Sequence, residues 1–173
     1  MSDTLLGNYS PESLIIILSK GDFVHRIQGY ADGTFLNISR LTPASVLYVG
    51  SDLSAGRTKR RNKASDISIT LHQYSASNAV LQALQAADEE DDSDAWVFSI
   101  TIKDTSGTSI WSSNQAFIGT VPDVGMSSTT ETRAWVLHAV GLSSNIGSNT
   151  KFDQPEVAAM GALDQQVPAR WQL

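Results

Sequence analysis

Along much of the chain, apolar and polar residues alternate with a period of two. In DISITLH, Asp66 to His72, the residues Ile67, Ile69 and Leu71 fall on one side and Asp66, Ser68, Thr70 and His72 on the other. In WVFSITIK, Trp96 to Lys103, the set Trp96, Phe98, Ile100 and Ile102 opposes Val97, Ser99, Thr101 and Lys103. Successive side chains on a strand point to opposite faces, so each segment predicts a strand with one core face and one polar face. Further strands are predicted at Leu14–Ser19, Phe23–Gln28, Thr34–Arg40, Ser45–Asp52, Ser109–Thr120 and Thr132–Leu142. Turn signals separate them: KGD, ADG, TP, TSG and PDVG. The fold class expected is mainly β and antiparallel.

One segment breaks the alternation. In SNAVLQALQAADEE, Ser77 to Glu90, the residues Val80, Leu81, Leu84 and Ala87 recur at helical spacing. Ser77 is the candidate N-cap, and the alanine, leucine and glutamine content favours helix. The acidic run DEEDDSD, Asp88 to Asp94, comes at the C-terminal end, where negative charge opposes the helix dipole. The helix is therefore expected to end near Ala87 and the acidic run to form a loop. After Leu142 the periodicity fades; GLSSNIGSN reads as a linker. The tail beyond it still holds Phe152, Met160, Leu163 and Trp171, apolar anchors for docking on a neighbour or folding back on the same domain.

Composition narrows the function. The chain has 173 residues and 41% hydrophobic content, enough for one folded domain. The acidic run carries Asp88, Glu89, Glu90, Asp91, Asp92 and Asp94, six of the eighteen acids, so the net charge of −6 is essentially one local feature. There is no cysteine, which excludes disulfides, thiolate metal sites and a cysteine nucleophile. No run reaches the apolar length of a membrane span, and MSDTLLGNYSPES lacks the basic start and apolar middle of a signal peptide. The expectation is a protein made and folded in a cytoplasm.

Chemistry is sparse. His25, His72 and His138 stand far apart in sequence, and a lone histidine on a strand is usually a satisfied wall residue. No GxSxG, HExxH or phosphate loop is present, and the acidic run lacks the spaced ligands and turn glycine of a calcium loop. No enzyme, metal or cofactor is expected. The basic stretch GRTKRRNK holds Arg57, Lys59, Arg60, Arg61 and Lys63, flanked by strands on either side, which predicts the tip of a long hairpin. Nucleic-acid binding would call for aromatic residues interleaved among the charges, and none lies between Tyr48 and Tyr74. A basic tip and an acidic loop on one small domain would instead let identical copies attract head to tail.

In order along the chain, GSDLSAGRTKRRNKASDISITL, SASNAVLQAL, WVFSITIKDTSG and NQAFIGTVPDVGMSSTTETRAWVLHAV resemble a tail tube protein of contractile-tailed bacteriophages. The resemblance covers roughly residues 32–146. Its elements fall on Ile67–Leu71, Ser75–Leu84, Ile100–Asp104, Ala116–Pro122 and Trp135, loose motifs whose order carries the likeness. It implies a β-sandwich or half-barrel protomer with one helix, assembling as a hexameric ring. Rings would stack into a virion tube whose β-barrel wall draws strands from every subunit, with DNA passing through the lumen unbound. Tail sheath and baseplate or tube-initiator proteins are the implied partners, and assembly would take place in the host bacterial cytoplasm. On this expectation Asp66, Ser68, Thr70, Ser99 and Thr101 line the channel, and the basic tip contacts the next ring. The acidic residues face the sheath or a ring junction. Residues 1–146 would form the tube-like domain and 147–173 an extension docking on a neighbouring subunit. The alternatives are a ring protein of a contractile injection or secretion system, a monomeric β-sandwich binding module, and a basic-loop nucleic-acid binder.

Overall fold

The two alternating segments become internal strands of one antiparallel sheet. The computed structural model describes residues 6–173; residues 1–5, part of the stretch read for a leader, lie outside the described residues. The strands are β1 (Leu14–Lys20), β2 (Phe23–Arg26), β3 (Leu36–Arg40), β4 (Ser45–Val49), β5 (Ala55–Lys59), β6 (Ser65–His72), β7 (Phe98–Asp104), β8 (Ile110–Thr120), β9 (Thr132–Val140) and β10 (Ser143–Asn145). The helices are α1 (Ala76–Glu90) and α2 (Gln154–Ala162), with short 3-10 turns at Pro11–Ser13, Asp94–Trp96 and Ala169–Trp171. The main sheet runs β2-β1-β7-β8-β9-β6-β3, with β10 against β8, while β4 and β5 pair only with each other.

The core is a consequence of the alternation. Ile67, Ile69 and Leu71 of β6 and Phe98, Ile100 and Ile102 of β7 are buried, together with Ile16, Leu18 and Leu137 of neighbouring strands. Each such side chain gains about 1.5–3 kcal/mol by leaving water. The sheet curls strongly. The segment leaving β2 takes a hydrogen bond to β1, Ile27 N to Ile16 O at 2.9 Å, and then reaches β6, Ala31 N to Thr70 O at 3.0 Å. A single short segment touches β1 and β6 although three strands lie between them in the sheet, which gives the half-barrel form.

Helix α1 lies on the concave, apolar side, where Leu81 and Leu84 enter the core and Val80 is half-buried. Its cap is Ser75 rather than Ser77: the Ser75 hydroxyl accepts from Ser77 N at 3.2 Å and donates to Gln28 O at 2.5 Å. Ser77 is buried inside the first turn, where its hydroxyl accepts from Gln28 N and shares a 2.9 Å hydrogen bond with His25 Nε2. Burial holds the His25 pKa below its ordinary value.

Three expectations change here. The helix does not stop near Ala87 but continues through Asp88, Glu89 and Glu90. The opposing dipole costs only some tenths of a kcal/mol to about 1 kcal/mol for exposed acids. Against this, Gln85 Nε2 donates to Glu89 Oε1 at 3.0 Å one turn away. Nor does the basic run form the hairpin tip. The turn is built just before it, by Gly50–Ser54: Gly50 N donates to Ser54 O at 2.7 Å, Asp52 Oδ1 accepts from Ser54, and Leu53 sits at φ 65°. Finally, the tail is not aperiodic throughout. The linker stretch includes β10, and α2 begins with a capping box in which the Asp153 carboxylate accepts from Glu156 N while Glu156 accepts from Asp153 N.

Candidate assembly surfaces

The β4–β5 arm is a ribbon without a core. Every one of its paired residues is exposed. Among them Leu47, Tyr48 and Val49 are 70%, 73% and 53% exposed, and Leu53 at the turn is 85% exposed. An isolated two-stranded hairpin is marginal in water, so an arm of this length needs cover from elsewhere. Arg57 and Lys59 lie on β5 itself, opposite Leu47 and Ser45. Arg60, Arg61 and Lys63 come next, on the return to β6. That return is fastened to the sheet by Arg40 of β3, which donates to Arg60 O at 3.0 Å and to Asn62 O at 2.7 Å. The basic residues therefore run from mid-arm to the arm's base.

The convex face of the sheet is the second surface. Asp66, Ser68 and Thr70 of β6 and Ser99 and Thr101 of β7 all point outward, as the alternation requires, with β9 and β8 between the two sets. Strand register adds residues that no single segment revealed: Ile15 and Ile17 of β1, Ser112 of β8, and Ala134, Val136 and His138 of β9. Serine and threonine hydroxyls alternate on this face with aliphatic side chains, and Lys103 of β7 and Arg26 of β2 also lie on it. Asp66 is paired here. His138 donates from Nδ1 to Asp66 Oδ1 at 2.6 Å, and Phe117 sets its ring edge against the imidazole. His25 shares a hydrogen bond with Ser77, and the His72 ring stacks on Tyr74. Among the described residues no His, Asp or Glu group converges as a metal site would require.

The acidic run occupies the last turn of α1 and the segment leading into β7. Asp88, Glu89 and Glu90 are helical, Asp91 is the C-cap, and Asp94 opens the 3-10 turn that ends at Trp96. Hydrogen bonds from the Ser93 backbone and hydroxyl hold the Asp91 carboxyl below the usual carboxylate range. Between α1, Phe23 and Trp96 lies an apolar groove of about 410 Å³. The groove could not be read from sequence, because it joins β2, α1 and the 3-10 turn across the fold.

The C-terminal extension is fastened to the β7–β8 turn. Asn149 Nδ2 donates to Asp104 Oδ2 at 2.6 Å and to Ser106 Oγ at 3.1 Å. A side chain on Gly107 would start 2.7 Å from that same amide nitrogen, so glycine leaves room for the clasp. Beyond it, α2 and the last residues close on themselves, with Phe152 N donating to Trp171 O and Leu173 N to Phe152 O.

The curled antiparallel sheet with one helix on its concave side has counterparts among solved structures. The fold is similar to the anti-feeding prophage tube terminating cap, with a TM-score of 0.52 over 84% of this chain and 95% of that one at 14% identity. It is also similar to the sheath/tube terminator of an extracellular contractile injection system (PVC) in its extended state, with a TM-score of 0.51 over 80% of this chain and 97% of that one at 12% identity. The chain belongs to the bacteriophage PhiTE tail tube protein family, whose model matches residues 16–147. Structural protein ORF10 of Pseudomonas phage KPP10 is 30% identical over 165 residues, 94% of this chain and 95% of that protein. The protein is a phage tail structural protein of the tube family.

Proposed function

We propose that the protein forms hexameric rings that stack into a tube through which DNA leaves the virion. The observation that carries this reading is the β4–β5 arm, whose paired residues are all exposed although several are large and apolar. Such an arm is stable when a neighbouring copy covers it, and a tube supplies neighbours above and below. The convex face supports the same reading. With Ser68, Thr70, Ser99 and Thr101 outward among aliphatic neighbours, it would present DNA with a wall that offers hydroxyl groups and few charges, joined from copy to copy at the sheet edges. Helix α1 packs on the other side of the sheet, so its acidic end lies away from that wall and is available to a ring junction or a surrounding sheath. The role is structural, and the family's tube character supports a non-enzymatic reading. The extension 147–173 would add contacts between subunits.

Negative-stain microscopy of the purified protein tests the proposal. Six-fold rings or tubes are expected at high protein concentration in physiological salt. A protein that stays dispersed as a folded monomer under those conditions, and after seeding with tails, overturns it.

A further inference from the structure

We propose that the β4–β5 arm of one copy lies in the apolar groove along α1 of the next copy, with its apolar tip toward the N-terminal half of the helix and its basic base against the acidic end. This deepens the tube reading and rests on it.

Register gives the arm a defined docking face. On one side of the ribbon, Val49 lies opposite Ala55, Leu47 opposite Arg57 and Ser45 opposite Lys59. That face is apolar near the turn and basic toward the base. The groove has the matching order. Phe23, Val80, Leu84 and Trp96 wall its apolar part, and the helix then runs into Asp88, Glu89 and Glu90, with Asp91, Asp92 and Asp94 beyond them. The lengths also agree. From Val49 to Ser45 is four strand steps, about 13 Å, and from Val80 to Asp88 is eight helical steps, about 12 Å.

Charge points to a second copy as the occupant. No Lys or Arg lies between Ala76 and Ala95, and the only acid–base side-chain pair among the described residues is His138–Asp66. Among the described residues the arm's cations and the helix's acids thus lack partners, and each set supplies what the other is missing. The arm leaves from β3, one edge of the sheet, while the groove borders β2, the other edge, and no arm residue lines it. The contact is heterologous, so repetition extends it from copy to copy.

The cysteine-free chain makes the test direct. Val49→Cys and Ala79→Cys place thiols on the docking face and beside the groove, both at exposed positions. A disulfide forms only when the Cα atoms approach within about 7 Å. Under oxidising conditions the double variant is expected to give a ladder of covalent multimers on non-reducing gels. An equimolar mixture of the two single variants should stop at the dimer. Val46→Cys with Ala79→Cys, on the ribbon's opposite face, should give no ladder. Rings or tubes visible by microscopy without a V49C/A79C ladder, or with an equal one from V46C/A79C, overturn the groove assignment and leave the tube reading standing. A dispersed protein with no ladder overturns both. In the V49C/A79C background, R57E/K59E and D88K/E90K are each expected to lower the cross-linking yield about tenfold, and their combination to restore it. Unchanged yields in the reversed variants refute the charge pairing.

Discussion

Asn149 donates a 2.6 Å hydrogen bond to Asp104 from forty-five residues further along the chain, and so fastens the C-terminal extension to the end of β7. Asp104 also accepts from Ser13 and Ser106, joining three parts of the chain at one buried carboxylate. Burial by itself raises the Asp104 pKa, but the bonds from Ser106, Asn149 and Ser13 outweigh it and hold the pKa below the ordinary value. A carboxylate whose folded pKa is depressed contributes stability above its unfolded pKa, about 3.9, and loses it as pH falls through the folded value. Asp104→Asn is therefore expected to be less stable than the parent at pH 7 and to approach it at pH 3 or below. Asn149→Ala should cost about 1–3 kcal/mol at pH 7. Urea midpoints at the two pH values decide it, and an equal gap at both removes the carboxylate from the argument.

The two faces of β7 should respond differently to truncation. Phe98 and Leu81 are buried, whereas Thr101 is exposed on the convex face and Ser99 is half-buried. Phe98→Ala or Leu81→Ala removes burial and leaves a cavity, at about 2–5 kcal/mol. Ser99→Ala and Thr101→Ala are expected to cost under about 1 kcal/mol each. The comparison is made on unassembled protein by urea denaturation. Equal losses on the two faces would mean that the convex face is itself packed, and its assignment to a channel wall would fail.

These contrasts explain which parts of the molecule the sequence disclosed. Strands β6 and β7 were legible because one face is continuously buried, which forces alternation at Ile67, Ile69 and Leu71 and at Phe98, Ile100 and Ile102. Strand β5 was not, because AGRTK has no buried face and is a strand only through pairing with β4. The arm turns just before the charges of GRTKRRNK, because the side-chain bonds that close the turn belong to Asp52 and Ser54 and not to the basic residues. Helix α2 carried a readable signal in DQPE, whose Asp153 and Glu156 form the capping box. The Asp66–His138 pair could not be read at all. It depends on the β6–β9 register, which joins residues seventy-two positions apart.

Reversing charge at the arm's base should separate folding from assembly. Arg60 and Arg61 are exposed, and Arg60 meets its neighbours through backbone groups that substitution preserves. The double variant R60E/R61E is expected to keep the protomer's circular dichroism and urea midpoint while shortening or abolishing tubes. Single exposed ion pairs contribute only about 0–1 kcal/mol, but repetition around a ring multiplies them. Tubes of normal length at physiological salt from a folded double variant would rule out these cations as ring contacts.

Gly119 sits where β8 bulges against β9. The register shifts between Ile118 and Thr120, and the bulge brings the Gly119 backbone onto the His138 ring. A Cβ at this position would overlap the imidazole. His138 has little freedom to yield, because Asp66 holds its Nδ1 at 2.6 Å and Phe117 flanks it edge-on. Gly119→Ala is therefore expected to destabilise the protomer by about 1–3 kcal/mol, the cost of forcing atoms into an occupied space. The cause is specific, so it can be isolated. In a His138→Ala background the ring is gone, and the added methyl should cost under about 0.5 kcal/mol. A double-mutant cycle on urea midpoints measures the difference. If Gly119→Ala costs the same with and without the imidazole, the bulge needs glycine for its backbone and not for His138, and the overlap is relieved by movement elsewhere on the convex face.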